Sequence, residues 1–326
     1  MLNTPVALSV FNRPESTELV FRAIAQVRPT RLFVFADGPR SSDEGQLCAR
    51  ARAVAQNVDW DCDVSYDLSE VNLGARHRYA SGVDWVFSQV DEAIVLDDDC
   101  VPDPTFFRFC DAMLERYRDD PRVMMVSGSN YLERWHDDRQ SYHFSYFGGV
   151  WGWATWKRAW DFYDITMAAW GDEEVKARIR DLLADEEVFA FQAQRFDRLA
   201  ADPGDRHSWD LPWSLARLAQ GGLTVVPAVN LVANVGNVDG RGLPPAHPLA
   251  NLPTAPMPFP LRFPTTVAAD RVHDRLHVRR IFEWWDRQAQ APNAARARSQ
   301  AMHRRIARTP RAFLGRVLER FRSKAS

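Results

Sequence analysis

The sequence predicts an α/β protein built on a mainly parallel sheet with helices on both faces. Short, almost wholly apolar runs recur from Val6 to Leu96, and each gives way to a segment of helical spacing. Turn residues separate the two kinds of segment, as in a chain of crossover units.

Val6-Ala7-Leu8-Ser9-Val10-Phe11 is almost wholly apolar, as a strand buried on both faces should be. Asn12-Arg13-Pro14-Glu15 breaks it, and Ser16 to Val27 carries helical spacing at Leu19, Val20, Ala23, Ile24 and Val27. Leu32–Ala36 is a second buried strand, ending at Asp37-Gly38-Pro39. A helix from Ser42 to Gln56, a strand at Cys62–Tyr66, a helix after Asn72-Leu73-Gly74 and a strand at Glu92–Leu96 follow. Ligands of such sheets bind outside the carboxyl ends of the strands. Asn12-Arg13, Asp37-Gly38 and Asp97-Asp98-Asp99 all fall there. Further on, the pattern predicts a helix at Thr105–Tyr117, a strand at Val123–Ser127 and an aromatic, Gly-rich loop from Tyr142 to Trp156. It continues with one acid-rich helix from Asp172 to Leu199, a helix at Trp209–Ala219 and a strand at Leu223–Val226. Residues 236–264 are dense in Pro and Gly and read as an ordered surface loop.

The chain has 326 residues, enough for a large core, and its net charge of −2 gives no pull toward nucleic acid. Cys48, Cys62, Cys100 and Cys110 lack zinc-like spacing and read as free thiols, which suits a reducing compartment. No apolar stretch is long enough to span a bilayer, and no export signal opens the chain. The expected location is the cytoplasm. Residues 1–265 form the predicted sheet domain, and 266–326 a basic, largely helical extension. Arg279-Arg280, Arg304-Arg305 and Arg308 lie there among Trp284, Trp285, Phe313 and Leu314. That pattern fits an amphipathic helix resting on anionic lipid at the inner membrane face, or a solvated helix packed on the domain.

Asp97-Asp98-Asp99 is the motif with chemical content. Three consecutive carboxylates after a buried strand repel one another, and a divalent cation relieves that repulsion. Oxygen-only ligands point to Mn2+ or Mg2+ rather than zinc, commonly shared with substrate phosphates. A surface acidic turn is the competing explanation, weakened by the hydrophobic strand that leads into it.

The run Ile94-Val95-Leu96-Asp97-Asp98-Asp99-Cys100-Val101-Pro102, followed by Phe106-Phe107, resembles the metal-site segment of the N-acetylglucosaminyltransferase I family. Those enzymes are inverting transferases of the GT-A fold, and the likeness extends to related bacterial sugar transferases. Arg76-His77-Arg78 upstream, and Gly148-Gly149-Val150-Trp151-Gly152-Trp153 downstream, continue it over roughly residues 5 to 235. The resemblance implies a GT-A sheet flanked by helices and a UDP-sugar donor. It implies Asp99 as metal ligand, Asp97 and Asp98 at the ribose or donor sugar, and Arg13 near the nucleotide. Asp37 would recognise uracil, His77 would lie beside the base, and Arg76 and Arg78 would meet the diphosphate. Ser208-Trp209-Asp210 matches the family's Trp-Asp pair, whose Asp is the general base. Gly149, Trp151 and Trp153 would line the donor or acceptor pocket, unless the tryptophans are core. The acceptor would be a glycan or a lipid-linked glycan. After Gly236 this chain reads Asn237-Val238-Asp239-Gly240-Arg241-Gly242, a departure from the bacterial pattern that leaves the acceptor open.

Two other readings use the same features. A sugar-nucleotide pyrophosphorylase or nucleotidyltransferase shares the sheet, but carries a basic Gly-rich loop after its first strand where this chain has Phe11-Asn12-Arg13-Pro14-Glu15. A retaining transferase would not need Asp210. A non-catalytic sugar-binding or membrane-damaging protein would have no use for three adjacent acids. No Gly-x-Gly-x-x-Gly follows the first strand, which removes a dinucleotide oxidoreductase.

Overall fold

The computed structural model describes residues 1–236, 243, 247–250 and 252–281. Chain contacts divide the molecule into Met1–Arg280 and Ile281–Ser326. The basic stretch beyond residue 281 and the 237–242 loop, both singled out in the sequence, lie outside the described residues.

Strands β1 (Val6–Val10), β2 (Arg31–Ala36), β3 (Asp63–Leu68) and β4 (Glu92–Asp97) pair in parallel in the order β3-β2-β1-β4. Helices α1 (Pro14–Val27), α2 (Ser42–Gln56) and α3 (Ala75–Phe87) connect them. The expected α/β fold is therefore present, with helix α2 at the predicted residues. Strand β5 (Cys100–Pro102), helix α4 (Thr105–Tyr117) and β6 (Val123–Ser127) follow. Next come β7 (Tyr142–Ser145), β8 (Trp153–Trp156), the short helix α5 (Lys157–Trp160), α6 (Glu173–Leu183), α7 (Glu186–Ala200) and α8 (Asp210–Ala219). Strands β9 (Leu223–Pro227) and β10 (Val232–Asn234) complete the set. The full sheet runs β3-β2-β1-β4-β8-β6-β9-β7, while β10 and β5 form a separate antiparallel pair.

The sheet's two faces divide its strands residue by residue, because successive side chains of a strand point to opposite sides. Leu32, Val34 and Ala36 of β2 join Val20 and Ile24 of α1, Ala51 of α2 and Phe106, Phe107 and Phe109 of α4 in one core. Phe33 and Phe35 of the same strand join Tyr79 and Val83 of α3, Trp160 of α5 and Trp213 of α8 in the other. A strand with both faces covered is apolar at nearly every position, which is why these runs read so clearly.

Two expectations need correction. The segment Tyr142–Trp156 is a loop only between its ends. Tyr142 and Phe144 are buried in β7, and Trp153 and Trp156 in β8, because aromatic side chains pack well against their neighbours on a pleated sheet surface. The acid-rich helix is also broken in two. Ala184 takes a left-handed conformation (φ 50°) and its N–H closes α6 on the Arg180 carbonyl. The Asp185 side chain then caps α7, accepting from the backbone N–H groups of Glu187 and Val188.

Residues 271–280, placed with the extension on sequence grounds, are helical and belong to the first unit. His273 is fully buried there, 4.1 Å between ring centres from His143 of β7. All four cysteines are free thiols, as expected. Among the described residues no helix is long and apolar enough to cross a membrane.

Candidate active site

The strand order reverses at β1: the chain proceeds outward through β2 and β3, then returns to place β4 on the other side of β1. Helix α1, which leaves β1, and helix α3, which enters β4, pack on opposite faces, and a crevice opens at the carboxyl ends of the two strands. A cavity of about 840 Å³ occupies this position. Its lining includes Arg13, Asp37, Arg78, Asp97, Asp98, Asp99, Trp151 and Asp210 of the residues singled out in the sequence. The other large hollow, about 730 Å³ between α1 and α2, contains none of them.

Asp97 ends β4, and Asp98 and Asp99 form the turn to β5. Its three carboxyls have different surroundings. Asp98 accepts from the Phe11 backbone N–H at 2.8 Å, which ties the triplet to the end of β1. Asp99 forms an ion pair with Arg13, Nη1 to Oδ2 2.5 Å, both side chains mostly buried. Burial, then the charges of Asp99 and Asp98, push the Asp97 carboxyl well above the usual carboxylate range, against the opposing pull of Arg13. Gly236 closes over the ion pair: a Cβ there would sit 2.0 Å from both Arg13 Nη1 and Asp99 Oδ2. The neighbouring Val235 N–H donates to the Asp99 carbonyl at 2.8 Å.

Among the described residues no three His, Cys, Asp or Glu side chains converge on a point where they could hold a metal ion. The described residues thus form no all-protein cage. The donor set fits the other arrangement, in which one carboxylate, Asp99, and the oxygens of a bound phosphate share a hard cation. The repulsion that acts on Asp97 is the charge imbalance such a cation would relieve.

Asp210 is the first residue of α8, and its side chain is 40% exposed, with Arg195 Nη2 3.8 Å from Oδ2. An aromatic stack positions it. Trp153 donates its Nε1–H to the Tyr79 hydroxyl at 2.9 Å, and Tyr79 stacks on Trp209 with ring centres 3.6 Å apart. The carbonyl of Trp209 also accepts from the Tyr163 hydroxyl at 3.2 Å. Tyr131 and Trp151 form the adjoining wall, rings 5.3 Å apart. Burial, then the Asp210 charge, push the Tyr131 hydroxyl up.

Several sequence-based assignments change here. Asp37 lines the cavity, but its carboxylate is already engaged by its own loop. Oδ1 accepts from the N–H groups of Gly38 and Leu73, and Oδ2 from Gly74 N–H and Asn72 Nδ2, all within 2.9 Å. Four donors fill the acceptor capacity of a carboxylate, leaving none for a base. Asp37 is a loop clamp in this structure. Arg78 is equally committed: it donates to the carbonyls of Ala36 and Asp67 and pairs with the Asp67 carboxylate at 2.8 Å. Arg76 and His77 are absent from the lining. Arg76 is buried and donates to the Ile165 carbonyl at 2.7 Å, while His77 is exposed. Trp153 is fully buried core, and Gly149 lies behind the wall, where a Cβ would meet the Tyr131 ring at 2.7 Å.

The lining also includes Arg40, Asn72, Tyr131, Arg206, His207 and Asn234, which the sequence did not single out. They sit on loops far apart in sequence and have no periodicity to mark them. Asn72 alone had a local signal, as part of the turn that opens α3.

The fold and site together define a class: an open α/β sheet with a carboxylate-lined cavity at its topological switch point. No known family model matches the sequence, and no curated protein does. Among solved structures the chain is similar to an active-site mutant of LgtC, at 11% identity and TM-score 0.37 over 68% of this chain and 72% of that one. It is also similar to HddC from Yersinia pseudotuberculosis, at 9% identity and TM-score 0.31 over 51% and 81% of the two chains. A UDP-glucose pyrophosphorylase complexed with UDP-glucose gives 6% identity and TM-score 0.36 over 73% and 96%. Likenesses this remote decide nothing about chemistry, so the functional reading rests on the cavity.

Proposed function

We propose that the chain is a glycosyltransferase that takes a sugar from a nucleoside diphosphate donor, with UDP the first candidate, and transfers it to an acceptor hydroxyl. The observation that carries this reading is the meeting of Asp97-Asp98-Asp99 and Asp210 in one cavity, although more than 100 residues separate them in the chain. Mn2+ or Mg2+ held by Asp99 and the donor's phosphates would neutralise charge on the departing diphosphate. Asp98, fixed by the Phe11 N–H, keeps the triplet at the end of β1, where the ribose or sugar would lie. Asp210 accepts the proton of the attacking hydroxyl, and its half-exposed position leaves it open to an acceptor. Such an arrangement inverts the anomeric centre. Tyr131 and Trp151 offer aromatic surface to a sugar face.

Pyrophosphorylase chemistry would use the same cation site but needs no general base beside it, so Asp210 favours transfer. The test is calorimetric titration of UDP and UDP-sugars, with and without Mn2+, against wild type and Asp99→Ala. Metal-dependent binding that disappears in the variant supports the donor site. Absence of binding by UDP, GDP, CDP and dTDP alike would remove it.

A further inference from the structure

We propose that Arg206 binds the phosphate chain of the nucleoside diphosphate, a role that rests on the glycosyltransferase reading above. Four arginines line the cavity, and their charges are not equivalent. Arg13 faces Asp99, Arg40 faces Glu44 and Arg78 faces Asp67, each as an ion pair. Arg206 has no carboxylate within ion-pair distance among the described residues. The adjacent acid, Asp205, is turned away and accepts from the backbone N–H groups of His207 and Ser208.

The guanidinium is nevertheless held in place. Its Nη2 donates to the carbonyl and the side-chain oxygen of Asn72 at 2.8 and 3.0 Å. Its carbonyl accepts from the Arg76 N–H at 2.8 Å. The side chain lies against Gly74, whose φ is +82° and where a Cβ would be 2.8 Å from Arg206 Nε. Gly74 thus supplies both the backbone conformation and the space that let Arg206 reach the cavity. Arginine presents five donors, and Asn72 engages one nitrogen only, so the others remain for a second acceptor. A positioned guanidinium with no carboxylate partner among the described residues suits a polyanion, and its fork matches phosphate oxygens. Arg206 lies on the loop that leads into α8 at Trp209 and Asp210, so phosphate contact there would also order the approach to the base.

The experiment compares the tightest-binding of UDP, GDP, CDP and dTDP with its parent nucleoside, in the presence of Mn2+. The proteins are wild type, Arg206→Ala and Arg206→Lys, read by calorimetry and ligand-observed NMR. The expected result is a roughly ten- to hundredfold weaker diphosphate affinity in Arg206→Ala, with nucleoside affinity unchanged and partial recovery in Arg206→Lys. Inorganic pyrophosphate should compete in wild type and lose potency in parallel. Equal losses for diphosphate and nucleoside would show that Arg206 only shapes the Asn72 loop, overturning the proposal. So would an unchanged diphosphate affinity. Those outcomes leave the glycosyltransferase reading intact, whereas a wild type that binds none of the diphosphates would bring down both.

Discussion

The guanidinium of Arg13 lies 2.5 Å from the carboxylate of Asp99, so the acid proposed to share a metal ion with the donor already has a positive charge beside it. Gly236 seals the pair from above. Removing Arg13 leaves a mostly buried carboxylate next to Asp98 and Asp97, and loss of one partner of a buried pair costs about 3 kcal/mol or more. Arg13→Ala should therefore lower the melting temperature without metal, and added Mn2+ should raise it more than in wild type. Thermal melts of both proteins over a Mn2+ series check this, and equal metal-induced shifts would count against a cation site at Asp99.

Asp37 accepts four hydrogen bonds from residues 38 and 72–74. Asp37→Ala should then act mainly on stability, by about 3 kcal/mol in chemical denaturation, since bonds to a charged acceptor are the stronger kind. If stability held and only selectivity among nucleotide bases changed, the clamp assignment would be wrong.

Asp210→Asn keeps the shape of the start of α8 and removes the proton acceptor. Under the proposed mechanism kcat falls by roughly 10²- to 10⁴-fold while donor affinity stays within a factor of about two. A steady-state assay with separate donor titrations would reveal the split. A comparable loss of donor affinity would instead make Asp210 a donor-binding group.

Burial, and then the neighbouring His273, hold the His143 and His277 imidazoles well below their ordinary pKa. The unfolded chain takes up these protons near pH 6.5, whereas the folded chain resists them to lower pH. Below about pH 6.5 the unfolded state thus binds more protons, and stability should be full above that value and fall as pH drops further. Denaturant midpoints from pH 8 to 5 measure the slope. His143→Phe should flatten it, even if the substitution shifts stability at every pH.

The sequence by itself determined the first half of the sheet, because strands covered on both faces cannot be anything but apolar. Val6–Val10 apart from Ser9, Leu32–Ala36 and Ala93–Leu96 follow that rule, and the residues just past them had to lie at the sheet's ligand-binding edge. It also marked Asp97-Asp98-Asp99, where adjacent like charges after a buried strand need a reason. The helix break at Ala184 was less visible, since a single left-handed residue leaves hydrophobic spacing almost intact; the capping Asp185 was its one local sign. Tertiary structure alone decided which polar groups are available. Asp37 and Arg78 have the right chemistry for a nucleotide and reach the cavity, yet neighbouring loops consume their hydrogen bonds. Arg206 had no distinguishing pattern, but its loop places it opposite Asn72, with no carboxylate partner among the described residues. Charge and hydrogen-bonding capacity are read from a residue's identity, whereas their satisfaction depends on partners brought from distant parts of the chain.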